Sequence, residues 1–177
     1  MKTRLLAASL TLSALGLAGM AVHEGYRSRA YDDGVGVQTV GFGTTTRADG
    51  SPVKAGDTTT PERAVVRLAV DAEAIQQRMR ACIGDVPLYP HEWDAFVSLA
   101  YNIGPSAFCR STLVKRLRET LTPTHSQGER ERLYAAACDE MLRWTKAGGR
   151  ELPGLVKRRQ AEHRLCREGA PMVEAAR

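Results

Sequence analysis

The stretch that most constrains this chain is "LLAASLTLSALGLAGMAV" (residues 5–22), eighteen residues without a charge. That is close to the roughly 20 apolar residues a helix needs to cross a bilayer. Lys2 and Arg4 precede it, a flank that keeps the N-terminus in the cytoplasm and sends the body to the other side. Only six of the eighteen are leucine, and most of the rest are Ala, Gly, Ser and Thr. A central leucine favours insertion by only about 0.3 to 0.6 kcal/mol and small or polar residues offset part of it, so the span is marginal. Three fates fit: a signal peptide cut after "GMA" at Ala21, a permanent anchor, or a weak anchor that later leaves the lipid. Composition alone favours the first.

The rest of the 177 residues is one domain or two small lobes, with the 43% hydrophobic and 25% charged composition of a globular protein. Residues 26–46 are β-like: "RSRAY", the turn signal "DDG", then "VGVQTVGFG". This predicts a small antiparallel hairpin or three-stranded sheet. Thr60, Pro61 and Glu62 form a helix start, with a capping hydroxyl, proline in the first turn and an acid near the positive end of the dipole. Val65, Leu68, Ala72, Ile75, Met79 and Cys82 then recur at threes and fours to about Ile83. "GDVPLYP" breaks that helix. "HEWDAFVSLAYNIG" forms the next, with Trp93, Phe96, Val97, Ala100 and Ile103 as packing residues and an end at Gly104-Pro105. Further helices are predicted over 111–121, 127–144 and 153–168.

Net charge is +5, and arginines crowd the chain from Arg110 onward. Such a balance suits an acidic polymer: nucleic acid, an anionic lipid surface or bacterial cell wall. No aromatic-basic platform accompanies the charge, so nucleic acid is not an expected partner. Cys82, Cys109, Cys138 and Cys166 include no CxxC, and no histidine stands at zinc spacing. Neither a metal nor a cofactor is expected. Two readings of the cysteines stay open: disulfides in any of three full pairings if the body lies outside the cytoplasm, or buried thiols.

Glu24 follows the leader with only His23 between. Asp33 stands nine residues on, and Thr39 six further. Glycoside hydrolysis needs two carboxyl groups flanking a sugar linkage, one protonated to assist the leaving oxygen, the other ionised on the far side. A glutamate where an apolar helix meets a hairpin is partly desolvated, whereas an aspartate in a glycine-bearing turn stays hydrated and charged. A threonine hydroxyl on the next strand helps to hold a water. His23 has no nucleophile at a matching position and is expected to be exposed.

In these residues the chain resembles the phage T4-type lysozymes, the endolysins of glycoside hydrolase family 24. Glu24-Gly25, Tyr31, Asp33-Gly34 and Thr39-Val40-Gly41-Phe42-Gly43 match the family's catalytic segment. The likeness continues through "DAFVSLAYNIG", "STLVKRL", "RWTKAGG" and "GLVKRRQAE". It implies an α+β, mainly α, lysozyme-like fold in two lobes: a small β lobe (23–58), a long connecting helix (59–83) and a helical lobe (84–177). It also implies hydrolysis of the β-1,4 bond between N-acetylmuramic acid and N-acetylglucosamine in peptidoglycan. Glu24 would be the general acid, Asp33 the base that activates water and Thr39 its helper, with inversion at the reacting carbon. Tyr101 and Asn102 match cleft-facing positions and are candidate sugar contacts. Trp144 packs the helical lobe or lines its edge. Arg158 and Arg159 support Glu24, bind wall polymer or lie on a solvated helix face. Where many relatives carry histidine after the second glycine of the strand, this chain has Thr44, which puts a supporting contact in doubt.

In the family fold the acidic glutamate ends an N-terminal helix, so cutting after Ala21 would leave Glu24 on a frayed terminus. Catalytic geometry tolerates errors of only about an ångström. The leader therefore resembles that of the signal-anchor-release endolysins, with residues 1–22 spanning the host inner membrane once, body periplasmic, before release into the periplasm as a monomer. A phage pinholin or holin is the implied functional partner. No cysteine lies in residues 1–22, which excludes a thiol exchange between leader and body. Two other functions remain: a lytic transglycosylase, which needs the acid but not a water-orienting pair, and a non-catalytic membrane-tethered wall-binding module.

Overall fold

A computed structural model of the chain describes residues 3–32, 34 and 36–172. The leader is folded onto the body. β1 (Leu5–Leu6) begins it, followed by a single 3-10 turn at Ala7–Ser9 and then α1 (Ala14–Glu24). Ser13 ends the extended stretch because its hydroxyl accepts from the Gly16 N–H at 3.0 Å, a side-chain cap that starts the helix there. Among the described residues no helix is long and apolar enough to cross a membrane.

The small lobe is a hairpin of β2 (Arg27–Asp32) and β3 (Gln38–Gly41), antiparallel, with Tyr31 opposite Thr39 and a bulge between Arg27 and Tyr31. Asp32 makes the turn: its Oδ1 accepts from the N–H groups of Gly34 and Gly36 at 2.8 and 3.1 Å. The following loop adds single bridges, Thr46 to Pro52 and Arg29 to Thr58, in place of a full third strand.

α2 (Pro61–Ile83) starts where expected, with the Thr60 hydroxyl accepting from Arg63 N–H at 3.3 Å. Its buried face is rotated from the predicted one. Val65 is exposed, Ala64 takes its place, and Gln76 lies in the middle of the face beside Leu68, Ala72, Met79 and Ile83. β4 (Pro87–Leu88) pairs antiparallel with β1 of the leader. α3 (Pro90–Ile103) is buried continuously from Glu92 to Ala100 and is the centre of the helical lobe, with Trp93 and Phe96 in the core as predicted.

Around it stand α4 (Pro105–Cys109), α5 (Thr112–Glu119), α6 (Gln127–Asp139) and α7 (Pro153–Glu168). α4 was not foreseen, because Gly104-Pro105 reads as a stop; here the proline opens a new short helix. α6 ends earlier than 144. A 3-10 turn at Glu140–Arg143 leads into a two-stranded hairpin of β5 (Lys146–Ala147) and β6 (Arg150–Glu151). Of the cysteine readings, the disulfide one holds: Cys82 pairs with Cys109, joining α2 to α4, and Cys138 with Cys166, joining α6 to α7. Ala7, Leu10 and Met20 of the leader are buried in the same core as Trp93, Phe108, Leu113 and Leu165.

Candidate active site

Glu24 is the last residue of α1, so its position depends on that helix being docked. Two glycines make the docking possible. A Cβ on Gly16 would lie 2.8 Å from Asp94 Cγ, and one on Gly19 would lie 2.5 Å from Met172 Cε. A side chain at Gly16 would run into Asp94, and one at Gly19 would have to displace the Met172 side chain. Ser13 anchors the start of α1 a second time, donating from its N–H and Oγ to the Asp94 carboxylate at 2.8 and 2.5 Å. Upstream, Leu12 N–H donates to Gln76 Oε1 at 2.7 Å, and Arg80 donates to the Leu10 carbonyl at 2.8 Å. Gln76 Oε1 also accepts from Trp93 Nε1 at 2.9 Å. These bonds explain a polar residue on the buried face of α2.

The setting of Glu24 differs from the apolar junction expected. Its Oε1 accepts from Arg158 Nη1 at 2.6 Å, and both side chains are largely out of solvent. Arg158 cannot swing away. Its Nε donates to Glu162 Oε1 at 3.0 Å and its Nη2 to the Ser98 carbonyl at 3.1 Å. Glu162 Oε1 accepts further bonds from Ser98 Oγ at 2.6 Å and Arg159 Nη2 at 3.0 Å. Arg159 Nε lies 2.8 Å from Glu162 Oε2, close enough for an ion pair but off the hydrogen-bond direction, so both atoms lack a properly aligned partner. The distance matters more for two opposite charges, which attract at any angle, so the contact counts as ionic.

Glu24, Arg158, Glu162 and Arg159 thus alternate in a buried row. Burial pushes Arg158 down, but the charges of Glu24 and Glu162 outweigh it and raise its pKa. For Arg159 burial dominates and lowers it to about 10 despite Glu162. His23 is half-buried rather than exposed. Burial, with the charges of Arg158 and Arg159, pushes it down to about 4, and its Nε2 has no partner among the described residues. Arg158 is thus buried and bonded to Glu24 rather than lying on a solvated helix face. Ser98, Glu162 and the orientation of Arg159 were not singled out from sequence. The signal was the "RRQAE" spacing, which puts Glu162 one turn from both arginines.

The β lobe approaches from the other side. Gly43 has φ +85°, and a Cβ there would sit 3.1 Å from Glu24 Oε2 and 3.7 Å from Tyr101 Cε1. This is a position only glycine fills without crowding the acid. Oε2, unlike Oε1, makes no hydrogen bond among the described residues. The Tyr101 hydroxyl donates to the Phe42 carbonyl at 2.9 Å, and burial, with the charge of Glu24 beside it, raises its pKa. Tyr101 thus ties α3 to the glycine-rich strand, and its hydroxyl is engaged there.

Thr39 is buried on β3, where among the described residues its Oγ1 makes one long 3.4 Å contact, donated to the Val37 carbonyl. Asp33 lies outside the described residues. Asn102 is exposed at the end of α3. Trp144 is half-buried against the core and lines a hollow of about 480 Å³ with Arg110, Ser111, Glu140 and Arg143. The Thr44 hydroxyl donates to Asp71 Oδ2 at 3.1 Å, while Asp71 Oδ1 pairs with Arg67 at 2.8 Å.

A mainly helical body with a small β lobe, and an acid fixed where the two meet, is the architecture of lysozyme-type glycoside hydrolases. The comparisons agree. Residues 21–162 match the phage lysozyme family. An endolysin of Salmonella phage P22 is 33% identical over 88% of this chain and 97% of its own length. A SAR-endolysin of Bacteriophage PS119 is 33% identical over 81% of this chain and 75% of its own. The solved endolysin from Escherichia coli O157:H7 phage FAHEc1 superposes with a TM-score of 0.75 at 31% identity, covering 92% of this chain and 96% of that one. The chain belongs to the phage lysozyme family. Its function is the lysozyme-type hydrolysis of peptidoglycan in host lysis.

Proposed function

We propose that the bond cleaved is the β-1,4 linkage between N-acetylmuramic acid and N-acetylglucosamine, with Glu24 as general acid, Asp33 as the base that activates water and Thr39 as its helper. The supporting observation is the held carboxyl. Arg158 engages Oε1 and leaves Oε2, on the Gly43 side, as the oxygen that can face a glycosidic leaving group. Orientation of this kind is what general-acid catalysis requires, and it is worth about 10²- to 10⁴-fold in rate. Attack by water on the opposite face gives inversion. The polymer itself, strongly anionic through its peptides, suits the basic body.

Residues 1–22 act first as a weak, single-pass anchor in the inner membrane, with residues 23–177 in the periplasm, and then dock as α1. Likeness to SAR-endolysins supports this, as do two disulfides, which persist in an oxidising compartment. So does the dependence of Glu24 on a helix made from the leader. Release is helped by membrane depolarisation from a pinholin, and the free enzyme is a monomer. Glu24→Gln and Asp33→Asn are expected to lower peptidoglycan turnover by a factor on the order of 10² or more, with the wild type releasing reducing ends. Anhydro-muramic ends would instead mark a transglycosylase, and lysis by both variants would exclude these carboxyls from catalysis.

A further inference from the structure

Arg4 flanks the leader on its N-terminal side, yet its side chain is only 12% exposed. Its Nη2 and Nε donate to the two carboxylate oxygens of Glu92 at 2.9 and 3.2 Å, and its Nη1 donates to Glu131 Oε1 at 2.5 Å. The guanidinium carbon lies over two rings, 3.6 Å from the centre of Tyr134 and 4.2 Å from that of Tyr89. All four partners belong to the body: Tyr89 and Glu92 at the start of α3, Glu131 and Tyr134 on successive turns of α6. The pocket is braced independently of the leader. Glu92 Oε2 accepts from the Tyr89 N–H at 2.8 Å, and the Cys138–Cys166 disulfide staples α6 to α7.

Carboxylates that meet the edge of a planar cation, and rings that meet its face, select a guanidinium over a compact ammonium. We propose that Tyr89, Glu92, Glu131 and Tyr134 form a guanidinium-binding site whose ligand is Arg4, and that filling it latches the leader onto the body. This rests on the leader docking after it leaves the membrane, as argued above.

Ahead of Ala7 the rest of the N-terminal contact is slight. β1 pairs through two residues, and the side chains of Leu5 and Leu6 are about half exposed. While the leader spans the membrane, Arg4 lies on the far side from the pocket, which then stands vacant. Partial withdrawal cannot fill it, because Arg4 is the end that crosses last. The site therefore registers complete exit of the leader.

Chemical rescue tests this in the full-length, soluble protein. Arg4→Ala is expected to raise hydrogen exchange at the Ala7 and Leu10 amides at least tenfold. Ethylguanidinium at tens of millimolar should restore protection, and ethylammonium should not. Glu131→Gln, whose carboxylate is half exposed and among the described residues bonds only Arg4, should show a smaller loss in the same direction, as should Tyr134→Leu. Exchange within twofold of the parent in Arg4→Ala, or rescue by ethylammonium as complete as by ethylguanidinium, overturns the proposal. Membrane fractionation separates this from the anchor reading. A parent protein never found in membranes defeats the anchor, while the exchange result still decides the guanidinium site.

Discussion

At the scale of single residues, the acid end of α1 carries its own sensitivity to pH. His23 falls from its ordinary 6.5 to about 4, first through burial and then through the charges of Arg158 and Arg159. With α1 undocked the imidazole would titrate near 6.5. Between about pH 6.5 and 4, the undocked state therefore binds more protons than the docked one. Docking is fully stable above 6.5 with respect to this group, and it weakens as pH falls through that window. Water still reaches part of the ring and screens some of the repulsion, so a graded loss is expected rather than collapse. Thermal unfolding followed from pH 7 to pH 4.5 should show the melting temperature of the wild type falling more steeply than that of His23→Gln, which stays neutral throughout. Parallel curves would clear His23 of the role, since carboxylates elsewhere titrate alike in both proteins.

At the scale of elements, the proposed release asks one composition, that of α1, to serve two solvents. Gly16 and Gly19 lower the affinity of residues 5–22 for lipid, and the same two residues are the surface on which the helix meets Asp94 and Met172. Replacing them with leucine would disturb membrane exit and docking together. Ala14 and Ala18 face solvent and separate the two effects. Ala14→Leu with Ala18→Leu adds apolar area worth roughly 0.6 to 1.2 kcal/mol on an insertion scale and leaves the docking face intact. The double variant should stay in the membrane fraction and delay lysis, yet match the wild type on isolated peptidoglycan once extracted and folded. Gly19→Leu should fail in both assays. If the alanine variant leaves the membrane on the wild-type schedule, lipid affinity does not time release. The elements legible from sequence were those whose signals are local. The Thr60 cap and the 3.6-residue repeat gave α2, and the apolar run gave α3. The β5–β6 hairpin was missed although Gly148 and Gly149, both at positive φ, are a strong turn signal; residues 127–144 looked like continuous helix. Gln76 on a buried face and Glu24 beside Arg158, 134 residues away, could not be read from periodicity, because their partners are supplied by tertiary structure. Glu24 was singled out from sequence, with Arg158 and Arg159 weighed as its supports; Ser98 and Glu162, which complete the buried row, were not.

At the scale of the whole molecule, the core is shared between leader and body. Ala7, Leu10 and Met20 complete a cluster whose other members come from α2, α3 and the helices after it. Under the proposed anchoring, a body tethered to the membrane would lack those three side chains, and filling of this kind is worth a few kcal/mol per large residue. Something must hold the body together until the leader arrives. Neither disulfide involves the leader: Cys82–Cys109 closes a loop across α2 and α4, and Cys138–Cys166 closes one across α6 and α7, with sequence separations of 27 and 28. Loops of that length stabilise by about 3 to 4 kcal/mol each in the chain-entropy picture, enough to offset the missing core contacts. The second bridge also fixes α7, which carries Arg158 and Glu162. Cys138→Ser with Cys166→Ser should therefore cost more in the tethered state than in the released one. A protease added to spheroplasts is expected to degrade the tethered double variant while sparing the tethered wild type, with a smaller difference between the two released proteins. Equal resistance of the two tethered forms would mean that the body stands without its staples, and that the leader adds little to the core it enters.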